Sequence, residues 1–123
     1  MAYVVLDTNF ILSCIRKKID FFNDIQFMGF KIIIPIQVLD EVRQLSMTAK
    51  GKFKDEAKVG LKLLEQNEFK RVDLYIKNVD NGIVKLAKDN KEYIVATLDQ
   101  EIKNQLKNRK LIIRGEKRLE IVA

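Results

Sequence analysis

The chain has 123 residues, 47% hydrophobic and 33% charged, the balance of one compact folded domain and not of a disordered or membrane-embedded segment. Twenty-three Lys and Arg against 17 Asp and Glu leave a net charge of +6, which favours a polyanionic partner. Histidine is absent, which excludes Ser-His-Asp and Cys-His nucleophilic sites, His-ligated zinc and a histidine general base.

Tyr3-Val4-Val5-Leu6 is a continuous apolar run ending at Asp7, the pattern of a strand buried on both faces. Asp7 also interrupts that run too early for a signal sequence, so none is expected. Cys14 is the single cysteine; neither an internal disulfide nor a thiolate cage can form, and a reducing, cytoplasmic setting is expected. Phe21, Phe22, Phe27 and Phe30 are spaced for a packed helix or a self-association face more than for stacking on bases. Lys31-Ile32-Ile33-Ile34 predicts a second strand, stopped by Pro35. The mostly apolar stretch Phe30 to Leu39 is far shorter than the ~20 residues of a membrane span, so no membrane role is expected. Val38, Val42, Leu45 and Ala49 recur at helical spacing, and Ala57, Leu61 and Leu64 do so again. Between them Thr48 to Asp55, with Lys50, Gly51, Lys52 and Lys54, reads as a loop. Leu74-Tyr75-Ile76 is a weaker third strand, followed by a helix over Asn81 to Asn90 carrying Ile83, Leu86 and Ala87. Tyr93 to Thr97 predicts the fourth strand, Ile102 and Leu106 a short helix, Leu111 to Ile113 the fifth strand, and Leu119 to Val122 a short edge strand. Such alternation predicts a single α/β domain, helices flanking a mainly parallel central sheet.

Ligands of an open parallel sheet bind outside the carboxyl ends of its strands. Asp7 directly follows the first strand, Asp80 follows the third, and Asp99 lies two residues beyond the fourth. Glu41 sits about 60° from Val38 around its helix, at the rim of the buried stripe, whereas Asp40 points nearly opposite. Each like-charge pair among such carboxylates costs roughly 2–3 kcal/mol at 6 Å and an effective dielectric near 20. A divalent cation relieves that repulsion, and Mg²⁺ or Mn²⁺ prefers an all-oxygen donor set of this kind. Such an ion also makes a nucleophile of water near neutral pH without a histidine. The plainer alternative is that Asp7, Asp80 and Asp99 cap the helices they precede, while Glu41 snorkels from the core's edge.

Val5-Leu6-Asp7-Thr8-Asn9, Leu39-Asp40-Glu41-Val42, Val79-Asp80-Asn81-Gly82-Ile83 and Ala96-Thr97-Leu98-Asp99-Gln100-Glu101 stand in the order and spacing of PIN-domain ribonucleases. The resemblance covers nearly the whole chain and is to the archaeal branch near VapC-type toxins and ribosomal-RNA maturation nucleases. It implies a three-layer α/β/α PIN-like domain over residues 1–123, and a Mg²⁺- or Mn²⁺-dependent endoribonuclease leaving 5′-phosphate and 3′-hydroxyl ends. It also implies Asp7, Glu41, Asp80 and Asp99 as the catalytic and metal-binding quartet, with Thr8, Asn9, Thr97 and Glu101 in support. Glu101 stands where the family often has Asp. RNA is then the substrate, an antitoxin or ribosome-assembly factors the partners, and a homodimer the assembly.

Rival functions fit less well. A receiver-like phosphoacceptor has an acidic pair after its first strand, and an Asp-x-Asp phosphatase needs an acid at position 9; Asp7 is followed by Thr8 and Asn9. A catalytically silent PIN-fold RNA-binding protein has little reason to keep four acids. Some residues of three basic groups are expected to contact RNA phosphates, the alternative being solvated surface charge: Arg16, Lys17 and Lys18; Lys50, Lys52 and Lys54; and Lys103, Lys107, Arg109, Lys110, Arg114, Lys117 and Arg118.

Overall fold

In the computed structural model, which describes residues 2–123, the chain enters through β1 (Tyr3–Leu6), whose Val4, Val5 and Leu6 are fully buried. Two helices, α1 (Thr8–Arg16) and α2 (Phe21–Phe27), carry it to β2 (Lys31–Pro35). The helical pair α3 (Ile36–Thr48) and α4 (Lys52–Gln66) leads to the short strand β3 (Lys70–Val72). Then α5 (Val79–Asp89) crosses to β4 (Ile94–Ala96), and α6 (Gln100–Gln105) precedes the hairpin β5 (Lys110–Arg114) and β6 (Arg118–Val122). The six strands form one sheet in the order β3-β2-β1-β4-β5-β6. All neighbours are parallel except β5 and β6. Helices α1, α3 and α4 pack on one another and α5 packs with α6, giving the three-layer α/β/α arrangement with a mainly parallel sheet that the alternation predicts.

Burial explains why these segments adopt these forms. Phe10, Phe21, Phe22 and Ile25 are fully buried beside the strand isoleucines Ile33 and Ile34, each such side chain contributing about 1.5–3 kcal/mol. Phe21 and Phe22 thus belong to a packed helix, while Phe27 at its end is exposed. Cys14 is a buried small hydrophobe, its thiol pushed up to about 12 by desolvation. No helix is long and apolar enough to cross a membrane among the described residues.

Three expectations about elements are corrected. The third strand is Lys70–Val72, and Leu74-Tyr75-Ile76 forms the bend after it, because Tyr75 turns into the left-handed region at φ +56°. Thr48 to Asp55 is mostly helical; only Ala49, Lys50 and Gly51 link α3 to α4, with Gly51 at φ +61° making the turn. Asp80 does not cap α5: Asn78 does, its side chain accepting from the Asn81 N–H at 3.0 Å, so the helix begins at Val79 and Asp80 lies in its first turn.

From β1 the chain winds outward through β2 and β3, then returns to lay β4 on the other side of β1. The winding therefore reverses between β1 and β4, and the crevice at their carboxyl ends is the expected ligand position.

Candidate active site

Asp7 closes β1 inside that crevice. Its side chain is 3% exposed, Oδ1 accepts from the Thr8 N–H at 2.8 Å, and Oδ2 accepts from the Thr97 hydroxyl at 3.0 Å. Thr97, fully buried just past β4, also accepts at Oγ1 from the Asp99 N–H at 3.1 Å. One hydroxyl thus ties together the two loops that leave β1 and β4. Asp99 caps α6, its Oδ1 accepting from the N–H groups of Glu101 at 2.8 Å and Ile102 at 3.4 Å. Asp7 and Asp99 are therefore caps, as the plainer alternative has it, and both also stand at the crevice.

Burial pushes the Asp7 carboxyl up from its ordinary 3.8 to about 6; the Thr97 hydroxyl opposes this, the Asp80 charge adds to it, the Thr8 amide opposes it, and the Glu41 charge adds again. Glu41 and Asp80 are accordingly near enough to repel Asp7. Neither is buried, so the expected tucking of Glu41 against the protein is not found; the surface beside α3 falls away into an open hollow there. Among the described residues no ion pair involves Asp7, Glu41, Asp80 or Asp99, and no three acidic or cysteine side chains converge tightly enough to grip a metal ion directly. The four acids share the carboxyl edge of the sheet without forming a closed cage.

An all-oxygen donor set around a buried, cation-free carboxylate suits a hard divalent ion, above all one that keeps several waters and uses one or two carboxylates. The Thr8 hydroxyl makes the same point: it is buried against Asp7 with no hydrogen-bond partner, an orphan that a hydrated ion or a phosphate oxygen would satisfy.

Two hollows open along this edge, one at Asp99 and one at Glu41. One, of about 390 Å³, is lined by Asn9, Leu12, Ser13, Arg16, Phe53, Leu98 and Asp99. The other, of about 450 Å³, lies between α3 and the segment entering α5, with Gln37, Asp40, Glu41 and Gln44 on one side and Tyr75, Ile76, Lys77 and Val79 on the other, so Asp40, expected to point nearly opposite the buried stripe, borders the same hollow as Glu41. Gln37, Glu41 and Gln44 are spaced i, i+4, i+7, a polar stripe that would have marked this wall in the sequence. Glu101 is exposed, and only its main chain touches the site, through Asp99.

Several cations expected to meet phosphates are engaged elsewhere. Lys110 is buried, its Nζ donating to the Leu106 carbonyl at 2.8 Å. Arg16 makes a two-pronged pair with Glu56, both contacts at 2.9 Å, and Arg114 donates to Glu120 at 2.6 Å. Lys107 lies with Lys88 and Lys91 around a hollow before β4 and β5, at the amino end of the strands.

The fold is an open α/β domain with an acidic edge at its switch point, and the family model described as "PIN like domain" matches residues 4–115: the chain belongs to the PIN-like domain family. It is similar to Ribonuclease VapC4 of Methanocaldococcus jannaschii, 32% identical across 98% of this chain and 97% of that protein. The rRNA-processing protein fcf1 of Schizosaccharomyces pombe is 27% identical across 85% of this chain, which spans only 53% of that protein. A solved structure of the PIN domain endonuclease Utp24 superposes with a TM-score of 0.78 at 24% identity, covering 97% of this chain and 90% of that one, a likeness of fold.

Proposed function

We propose that residues 1–123 form one PIN domain that hydrolyses RNA phosphodiester bonds internally, with Asp7, Glu41, Asp80 and Asp99 binding Mg²⁺ or Mn²⁺. The observation that carries this reading is Asp7: a buried carboxylate at the switch point, raised to about 6, facing two further acids and no cation. A bound divalent ion supplies acidified water and neutralises charge developing on the phosphate. The chain's own residues do the rest. Thr97 holds Asp7 Oδ2 in place, and the α6 amides fix Asp99 through Oδ1. The Thr8 hydroxyl offers a donor to a phosphate oxygen, Asn9 reaches the hollow beside Asp99, and the exposed carboxylates of Glu41 and Asp80 complete the open side.

The relatives' names support two uses of this chemistry, a VapC-type toxin held by an antitoxin and an rRNA-processing nuclease. Near-complete mutual coverage with VapC4 favours the first. The test is incubation of mixed RNAs with the protein in EDTA, Mg²⁺ or Mn²⁺, beside Asp7→Asn. Cleavage is expected only with a divalent ion, and the substitution is expected to lower it at least a hundredfold. Full activity in EDTA, or in Asp7→Asn, overturns the assignment.

A further inference from the structure

Tyr75 is 88% exposed, among the most exposed large hydrophobic side chains of the described residues, and it stands on the hollow that contains Glu41. An aromatic residue at φ +56° is in a conformation that bulky side chains avoid. The fold holds it there with a specific clamp. Asp73 Oδ1 accepts from the Tyr75 N–H at 2.8 Å and from Gln37 Nε2 at 2.8 Å, while Gln37 Oε1 accepts from the Leu74 N–H at 3.1 Å. These bonds, the Gln37 amide foremost, hold the Asp73 carboxyl below its ordinary value. Gln37 lies one helical turn before Glu41 on α3, so the clamp fixes Tyr75 to the same helix that carries a proposed catalytic acid. Lys77 lines the same hollow and brings a positive charge to it.

A solvent-facing aromatic side chain on a clamped main chain, next to an acidic edge and a lysine, suits a nucleotide whose base is free to stack while its phosphate meets the cation. We infer that Tyr75 is the stacking platform for an unpaired base of the RNA next to the scissile phosphate. The inference rests on the ribonuclease reading. Bases inside a duplex are already stacked and cannot reach the ring without being extruded.

The test measures Mn²⁺-dependent cleavage of a 12-nucleotide single-stranded RNA by the parent, Tyr75→Ala, Tyr75→Phe and Tyr75→Gly proteins, with KM and kcat separated. Tyr75→Ala is expected to raise KM about tenfold or more with kcat within about twofold, and Tyr75→Phe to stay near the parent. Tyr75→Gly, which relieves the backbone, is expected to melt no lower than the parent while sharing the raised KM, separating lost stacking from lost folding. Moving an abasic nucleotide through the RNA is expected to find one position at which parent and Tyr75→Ala become equal. Equal KM for parent and Tyr75→Ala, or equal damage in Tyr75→Phe and Tyr75→Ala, overturns the platform while cleavage by the parent still stands; the ring is then left to a protein partner. A parent protein that cleaves no RNA with any divalent ion overturns the ribonuclease reading and this inference together.

Discussion

Asp7 is held by the fold at an energetic cost, and the cost has a sign that can be measured. Its carboxyl is raised from 3.8 to about 6, so between these values the folded chain keeps a proton that the unfolded chain has released. Stability from this group is therefore present below about pH 4 and lost as pH rises through about 6, amounting to about 3 kcal/mol at neutral pH. Asp7→Asn is expected to melt higher than the parent in EDTA at pH 7, with the difference vanishing towards pH 4. Added Mn²⁺ is expected to raise the parent's melting temperature and leave the variant's unchanged; a variant that melts lower at pH 7 in EDTA contradicts the account. Asp7 was legible in the sequence because a four-residue apolar run ends on it. Glu41 was only half legible: the helical angle places it correctly around α3, but not how far the neighbouring surface extends, and that surface stops at a hollow. Thr97 was legible as a supporting residue only through the family resemblance; its own pattern is that of a β-branched strand residue, since its hydrogen bond to Asp7 spans 90 positions that no local pattern connects.

The strands and helices were legible wherever they are buried, and least so at the sheet's edge. β3 is an outer strand with Lys70 and Arg71 exposed, so it lacks the apolar signature by which β1, β2 and β4 are recognised. Leu74-Tyr75-Ile76 carries that signature and is a bend, because Leu74 turns inward onto α5 while Asp73 bonds the Tyr75 N–H. The contact beneath this bend is tight. A Cβ on Gly82 would lie 2.8 Å from Leu74 Cδ1 and 2.9 Å from Leu74 Cβ, the latter too near the main chain to swing away. On α4, a Cβ on Gly60 would meet only Ile15 Cδ1 at 2.8 Å, the free end of a flexible side chain. Alanine in a helix gains roughly 1 kcal/mol over glycine, and overpacking costs about 1–3. Denaturant unfolding is therefore expected to show Gly82→Ala destabilised by about 1–2 kcal/mol and Gly60→Ala close to neutral. Equal effects at the two positions would mean that the bend yields as easily as a side chain.

Across the whole molecule, the net charge of +6 sits on a chain whose proposed catalytic edge is acidic. Asp7, Glu41, Asp80 and Asp99 follow β1 to β4 in turn, whereas Lys88, Lys91 and Lys107 gather at the strands' opposite ends. RNA must then be attracted by surface cations before it meets the acids, so its binding is expected to weaken steeply with salt. If about four phosphates are neutralised, a fourfold rise in salt weakens single-strand binding about fiftyfold. Anisotropy of a labelled RNA across a NaCl series measures the slope, and a flat response would assign recognition to uncharged contacts.

The bond between Thr97 and Asp7 also bears on when this protein becomes what it is. A ribosome delivers Thr97 ninety residues after Asp7. Until β4 slots in beside β1, that early aspartate is an ordinary solvated acid on an unfinished polypeptide. Its raised proton affinity arrives only once β4 has been made, so a nascent chain that stops short of Thr97 carries the acid without the surroundings that perturb it.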